Sequence, residues 1–138
     1  MGNVTENNFS AFSSAEQLLK AGVPISFHVI TAKNGKGITL KEGTGDIHLS
    51  SNAVYFVSYT VSVTIPKEYN AASTILSLNG ETLNSSLASN SYFPPGEKGN
   101  LSGSAIVNTK KGTNILILFG VLGETVYDNA CISIVRIA

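Results

Sequence analysis

Two histidines, one cysteine and nine acidic residues are the groups in this 138-residue chain that could do chemistry at neutral pH. Asp46 and His48 are two residues apart, so on a strand they share one face. A carboxylate and an imidazole so placed are two ligands of a metal site that still needs a third. The other reading is a solvated strand face. His28 stands alone between Phe27 and Val29. Cys131 lies in Ala130-Cys131-Ile132-Ser133-Ile134, an apolar run with no neighbouring base. It reads as a buried small hydrophobe and not as a nucleophile, and as a lone cysteine it excludes an intrachain disulfide. Serines abound, but no Gly-x-Ser-x-Gly elbow occurs. The acids are scattered, which argues against the paired carboxylates of glycoside chemistry. Tyr92-Phe93-Pro94-Pro95 is an aromatic cluster that could dock a sugar or a protein, or pin its own loop. Asn3, Asn8, Asn84 and Asn100 each begin an N-x-S/T sequon, in a composition where such matches arise by chance. No catalytic constellation emerges, and the chain reads as a non-enzyme.

Composition narrows the partners. Nine basic residues balance nine acidic ones, so nothing attracts a nucleic-acid backbone or an anionic membrane over distance. Charged residues are 13% of the chain, about half the usual share. Ser, Thr and Asn number 41, which points to a neutral polar exterior, to an exterior partly covered by partner subunits, or to both. At 43% hydrophobic residues the chain can build a core. No apolar run reaches the length of a membrane helix, and Met1-Gly2-Asn3-Val4-Thr5-Glu6 lacks the basic start and apolar stretch of a secretory signal.

The elements that must hold these groups are strands. From Ala53 to Ile65, Tyr55, Val57, Tyr59, Val61, Val63 and Ile65 alternate with Ser58, Thr60, Ser62 and Thr64. Strict alternation of β-branched and aromatic residues predicts one long strand with a continuous apolar face, ended by Pro66. Tyr55, Val57, Tyr59, Val61 and Cys131 are the expected core. Further short strands are expected around residues 25–29, 37–41, 46–50, 73–79, 101–109, 113–122 and 130–137, separated by turns such as Asn34-Gly35 and Asn79-Gly80. Ser13-Ser14-Ala15-Glu16 fits a capping box, and Gly22 a stop, so a short N-terminal helix is expected between them. Residues 1–22 then form an N-terminal arm and residues 23–138 a sandwich, within one domain. The expected class is all-β, a jelly-roll sandwich of two antiparallel sheets with about ten strands.

One segment needs a partner. Ile115 through Leu122 is apolar at successive positions, so both of its faces want cover. The core covers one. An exposed second face would be an aggregation hazard, so a neighbouring subunit is expected against Ile115, Leu116, Ile117, Leu118 and Phe119.

Several motifs then fall in order: Phe9-Ser10-Ala11, Leu49 to Tyr59 through Tyr55-Phe56-Val57-Ser58, Leu78-Asn79-Gly80, Leu101-Ser102-Gly103-Ser104, and Ala130 to Ile137. Together they resemble the globular head of the complement one-q and tumour-necrosis-factor-like superfamily. Within it they are most similar to the C-terminal domains of bacterial collagen-like glycoproteins on the spore exosporium. No Gly-X-Y repeat precedes the domain here. The resemblance implies a ten-stranded jelly roll that forms a homotrimer with a structural or recognition role on a spore or other extracellular surface. It implies that the long central strand lies between the last strand and the strand matching Thr113 to Leu122, and that the latter runs near the threefold axis. Some relatives bind calcium through loop oxygens. Glu42, Asp46, Glu124 and Asp128 are the loop acids available for that, without the dense spacing of a calcium cage; no other cofactor is expected. The alternative reading, from another class, is a lectin-like carbohydrate-binding module on a similar sandwich.

Overall fold

Alternation dominates the computed structural model, which describes residues 6–64, 71–91 and 96–138. Among the described residues eleven strands run in chain order: β1 (Asn8–Ser13), β2 (Gln17–Leu19), β3 (Val29–Asn34), β4 (Ile38–Leu40), β5 (Ile47–Leu49), β6 (Val54–Thr64), β7 (Ala71–Leu78), β8 (Glu81–Ser91), β9 (Lys98–Asn108), β10 (Asn114–Gly120) and β11 (Thr125–Arg136). They form two antiparallel sheets. The larger has the order β3-β1-β11-β6-β9, with β2 also paired to β11; the smaller has the order β4-β5-β10-β7-β8. This is a jelly-roll sandwich.

The long central strand is β6, and every second residue of it is buried, with Tyr55, Val57, Tyr59, Val61 and Val63 inward. From the smaller sheet Leu76, Leu116 and Leu118 close the same core. The two layers are tied by the Tyr59 hydroxyl, which donates to the Ser86 carbonyl at 2.6 Å and lies 3.0 Å from Thr74 Oγ1. Gly103 is required where it stands, because an added Cβ would overlap both the Ser86 carbonyl and the Tyr59 ring. Ile65 and Pro66, the expected end of the central strand, lie outside the described residues.

Three expectations are corrected. The segment from Ser13 to Gly22 is not a helix, and residues 8–19 are not an arm. They supply β1 and β2, both paired to β11. Phe9, Ala11 and Ser13 alternate inward, and that burial against a long strand outweighs a capping signal of about 1 kcal/mol. Second, β6 lies between β11 and β9, while the strand over Thr113 to Leu122 is β10 in the other sheet, between β5 and β7. That neighbour was implied by the resemblance, and the alternation of β6 and β10 carries no information of its own about which strands pair. Third, Cys131 is exposed. The β11–β6 register shifts between Asp128 and Cys131, where Asn129 takes a left-handed φ of 45°. This bulge inserts one residue and flips the parity of the strand. Thr125 and Tyr127 face inward before it, and Ala130, Ile132 and Ile134 after it.

Candidate interface on the larger sheet

The outward residues of β6 are Phe56, Ser58, Thr60 and Ser62, and pairing lines them up with those of its neighbours. Asn8, Val135, Phe56 and Ile106 stand in one row across β1, β11, β6 and β9. The next row is Ser10, Ser133, Ser58 and Ser104. The third is Phe12, Cys131, Thr60 and Ser102. None of these side chains is charged. Val135, Phe56 and Ile106 are 41%, 42% and 61% exposed, so the first row is an apolar ridge open to solvent in the single chain. Ser133, Ser58 and Ser104 of the serine row, with Cys131, Thr60 and Ser102 of the third, line a shallow depression of about 390 Å³. The only ion pair among the described residues, Lys98 to Asp128 at 3.1 Å, borders it at one end. The face is bounded by β9, which closes the larger sheet and lies beside β8, the last strand of the smaller one.

The predicted contact strand divides into two sets. Leu116 and Leu118 point into the core and are fully buried, which removes them from any subunit contact. Ile115, Ile117 and Phe119 point out of the smaller sheet and are half-buried. Part of their cover is intramolecular: Phe119 pairs with Ile75 and Ile117 with Ser77 on β7, Ile115 pairs with His48 on β5, and Pro24 bridges to Phe119. Positions 115 to 119 thus alternate between the core and the outer side of the smaller sheet, where Ile115, Ile117 and Phe119 keep part of their surface open in the single chain.

The candidate chemical groups do not converge. Asp46 and His48 are exposed on the outside of the smaller sheet, and among the described residues no group of three metal-ligating side chains forms around them. Glu42 accepts the Ile30 backbone N–H at 2.9 Å at the edge of β3, Asp128 is paired with Lys98, and Glu124 is exposed. Among the described residues these acids are not gathered into one group. Sequence reading missed one pairing: Ser13 Oγ lies 2.5 Å from His28 Nδ1. Ser13 is buried, at 1% exposure, and no acid bonds His28 among the described residues, so the pair lacks both access and an orienting carboxylate. Tyr92-Phe93-Pro94-Pro95 and Asn3 lie outside the described residues, while Asn84 and Asn100 are exposed. The outer rows of the larger sheet were half-legible, because the Ser and Thr positions of β6 were visible in the sequence. The ridge was not, because Val135, Phe56 and Ile106 come from three distant segments.

No helix among the described residues is long and apolar enough to cross a membrane. No protein-family model matches the chain, and no curated protein matches it in sequence. Solved structures do. The Eiger TNF of S. frugiperda is 16% identical, with a TM-score of 0.77 over 96% of this chain and 92% of that one. The globular domain of zebrafish complement 1qA is 14% identical, with a TM-score of 0.71 over 93% of this chain and 94% of that one. Murine APRIL at pH 5.0 is 11% identical, with a TM-score of 0.72 over 95% of this chain and the whole of that one. The chain has the jelly-roll fold of tumour-necrosis-factor-like and complement one-q globular domains.

Proposed function

We propose that this jelly roll is a non-enzymatic domain that works as a homotrimer in a structural or recognition role, on a spore or other extracellular surface, with its subunit contact on the outer face of the larger sheet. The observation that carries the reading is the charge-free face itself, with the exposed ridge of Val135, Phe56 and Ile106 across it. Interface centres are depleted in charge and enriched in aromatic anchors, and this face fits both conditions. Its border supports a ring. The face and the adjoining β9 edge are different surfaces, and a contact of one with the other is heterologous, so it closes by rotation and not by a twofold axis. The trimer is the closure that the family resemblance implies, and a neutral exterior rich in Ser, Thr and Asn suits a surface location.

Sedimentation analysis tests the reading. The expected mass is three chains at low micromolar concentration. Phe56→Asp and Ile106→Lys, both on the solvent side of the single chain, are expected to give folded monomers. A monomeric parent protein overturns self-assembly. A trimer unchanged by both substitutions overturns the location of the contact.

A further inference from the structure

The outside of the smaller sheet carries a second surface, independent of self-assembly. β4 and β5 pair so that Thr39 stands opposite His48 and Leu40 opposite Ile47. Lys41 and Asp46 follow one step along, and with Thr44 they line an open depression of about 560 Å³, within the size range of small-ligand sites. Its frame is fixed. Thr44 donates through both its N–H and its hydroxyl to the Lys41 carbonyl, at 3.1 and 2.7 Å. The same turn is pinned to the buried Phe27 by two backbone bonds, Gly43 N to Phe27 O at 2.8 Å and Phe27 N to Thr44 O at 3.0 Å. Gly45 is held against the Ile25 carbonyl with no room for a Cβ. On this rigid frame the side chains of Thr39, Lys41, Asp46 and His48 have no hydrogen-bond partner among the described residues. Half-buried Ile115 lies beside His48 on β10.

We propose that this depression binds a neutral saccharide unit. The donor and acceptor set selects the ligand class. Two metal-ligating groups are too few to hold a cation. Asp46 opposes an anion that Lys41 would attract, so a phosphate or sulfate gains little. A polyol uses every group present: the Asp46 carboxylate accepts from two hydroxyls, Lys41 donates, and Thr39 and His48 do either. The site extends the recognition role beyond self-contact, and it stands or falls separately from the trimer.

Saturation-transfer NMR with glucose, galactose, mannose, N-acetylglucosamine and rhamnose, together with a glycan array, tests the proposal on the full chain. At least one neutral saccharide is expected to bind. Asp46→Asn is expected to weaken that binding about tenfold or more, since a carboxylate accepts more strongly than an amide. Thr39→Val is expected to weaken it by a smaller factor, with sedimentation mass unchanged in both variants. Absence of binding across the panel overturns the proposal, as does binding that neither substitution weakens. Selective capture of sulfated glycans, lost in Lys41→Gln and kept in Asp46→Asn, overturns it in favour of an anion site. Zinc or calcium shifting the His48 resonances in the absence of sugar overturns it in favour of a metal site.

Discussion

Tyr127 packs its hydroxyl against Gly120, where an added Cβ would collide with it. Burial raises the Tyr127 pKa above its ordinary value of 10.0, and a hydrogen bond with Thr125 offsets part of that rise. Tyr59 is raised for the same reason, with the Thr74 bond opposing. Both phenols therefore hold their protons more tightly folded than unfolded. The stability this gives is fully present below pH 10 and is lost as pH rises through the raised folded values. Unfolding free energy should fall with pH above about 10, and Tyr127→Phe should make that fall shallower. Urea titrations of parent and variant across this window decide it, and equal slopes would rule out Tyr127 as a source. At the same scale Cys131 shows the limit of reading a side chain from its neighbours. Its apolar context predicted burial, and the one extra residue at the Asn129 bulge turned it outward.

At the scale of the strand, β10 separates two effects that its sequence merges. Leu118 is fully buried between the sheets, and Phe119 is half-buried on the outside of the smaller one. Leu118→Ala should cost about 2–5 kcal/mol of stability by leaving a cavity. Phe119→Lys should leave the sedimentation mass unchanged, because the proposed subunit contact lies on the other sheet. A monomer produced by Phe119→Lys would return the contact to β10 and contradict the assignment to the larger sheet. β6 behaved as its alternation required, with Tyr55 to Val63 inward. β1 and β2 did not, because a capping box and a short strand are both local signals and the long partner β11 arbitrates between them.

For the whole molecule, the uncharged face of the larger sheet makes assembly measurable through a native probe. Cys131 sits in the third row of that face, beside Phe12 and Thr60. If the face is covered, alkylation of the thiol should be slow at concentrations where the protein is assembled. It should speed up on dilution and in Ile106→Lys. Equal, fast labelling in all three conditions would mean that the face stays open to solvent and would contradict the proposed contact.

The sequence by itself determined the class of this protein: an all-β chain with a long strand read from Ala53 to Ile65, the inward residues Tyr55 to Val63 of that strand, and its lack of net charge. Those properties are local, carried by period-two alternation and composition, and in β6 no bulge intervenes to reverse them. Tertiary structure decided which strands became neighbours, on which side of the bulge Cys131 fell, and how β10 divided its apolar residues between core and exterior. It also brought Val135, Phe56 and Ile106 into one row, and Thr39, Lys41, Asp46 and His48 around one depression. These depend on pairing between segments far apart in the chain, where register and strand order are set by the fit of two whole sheets and leave no mark on any short stretch of residues.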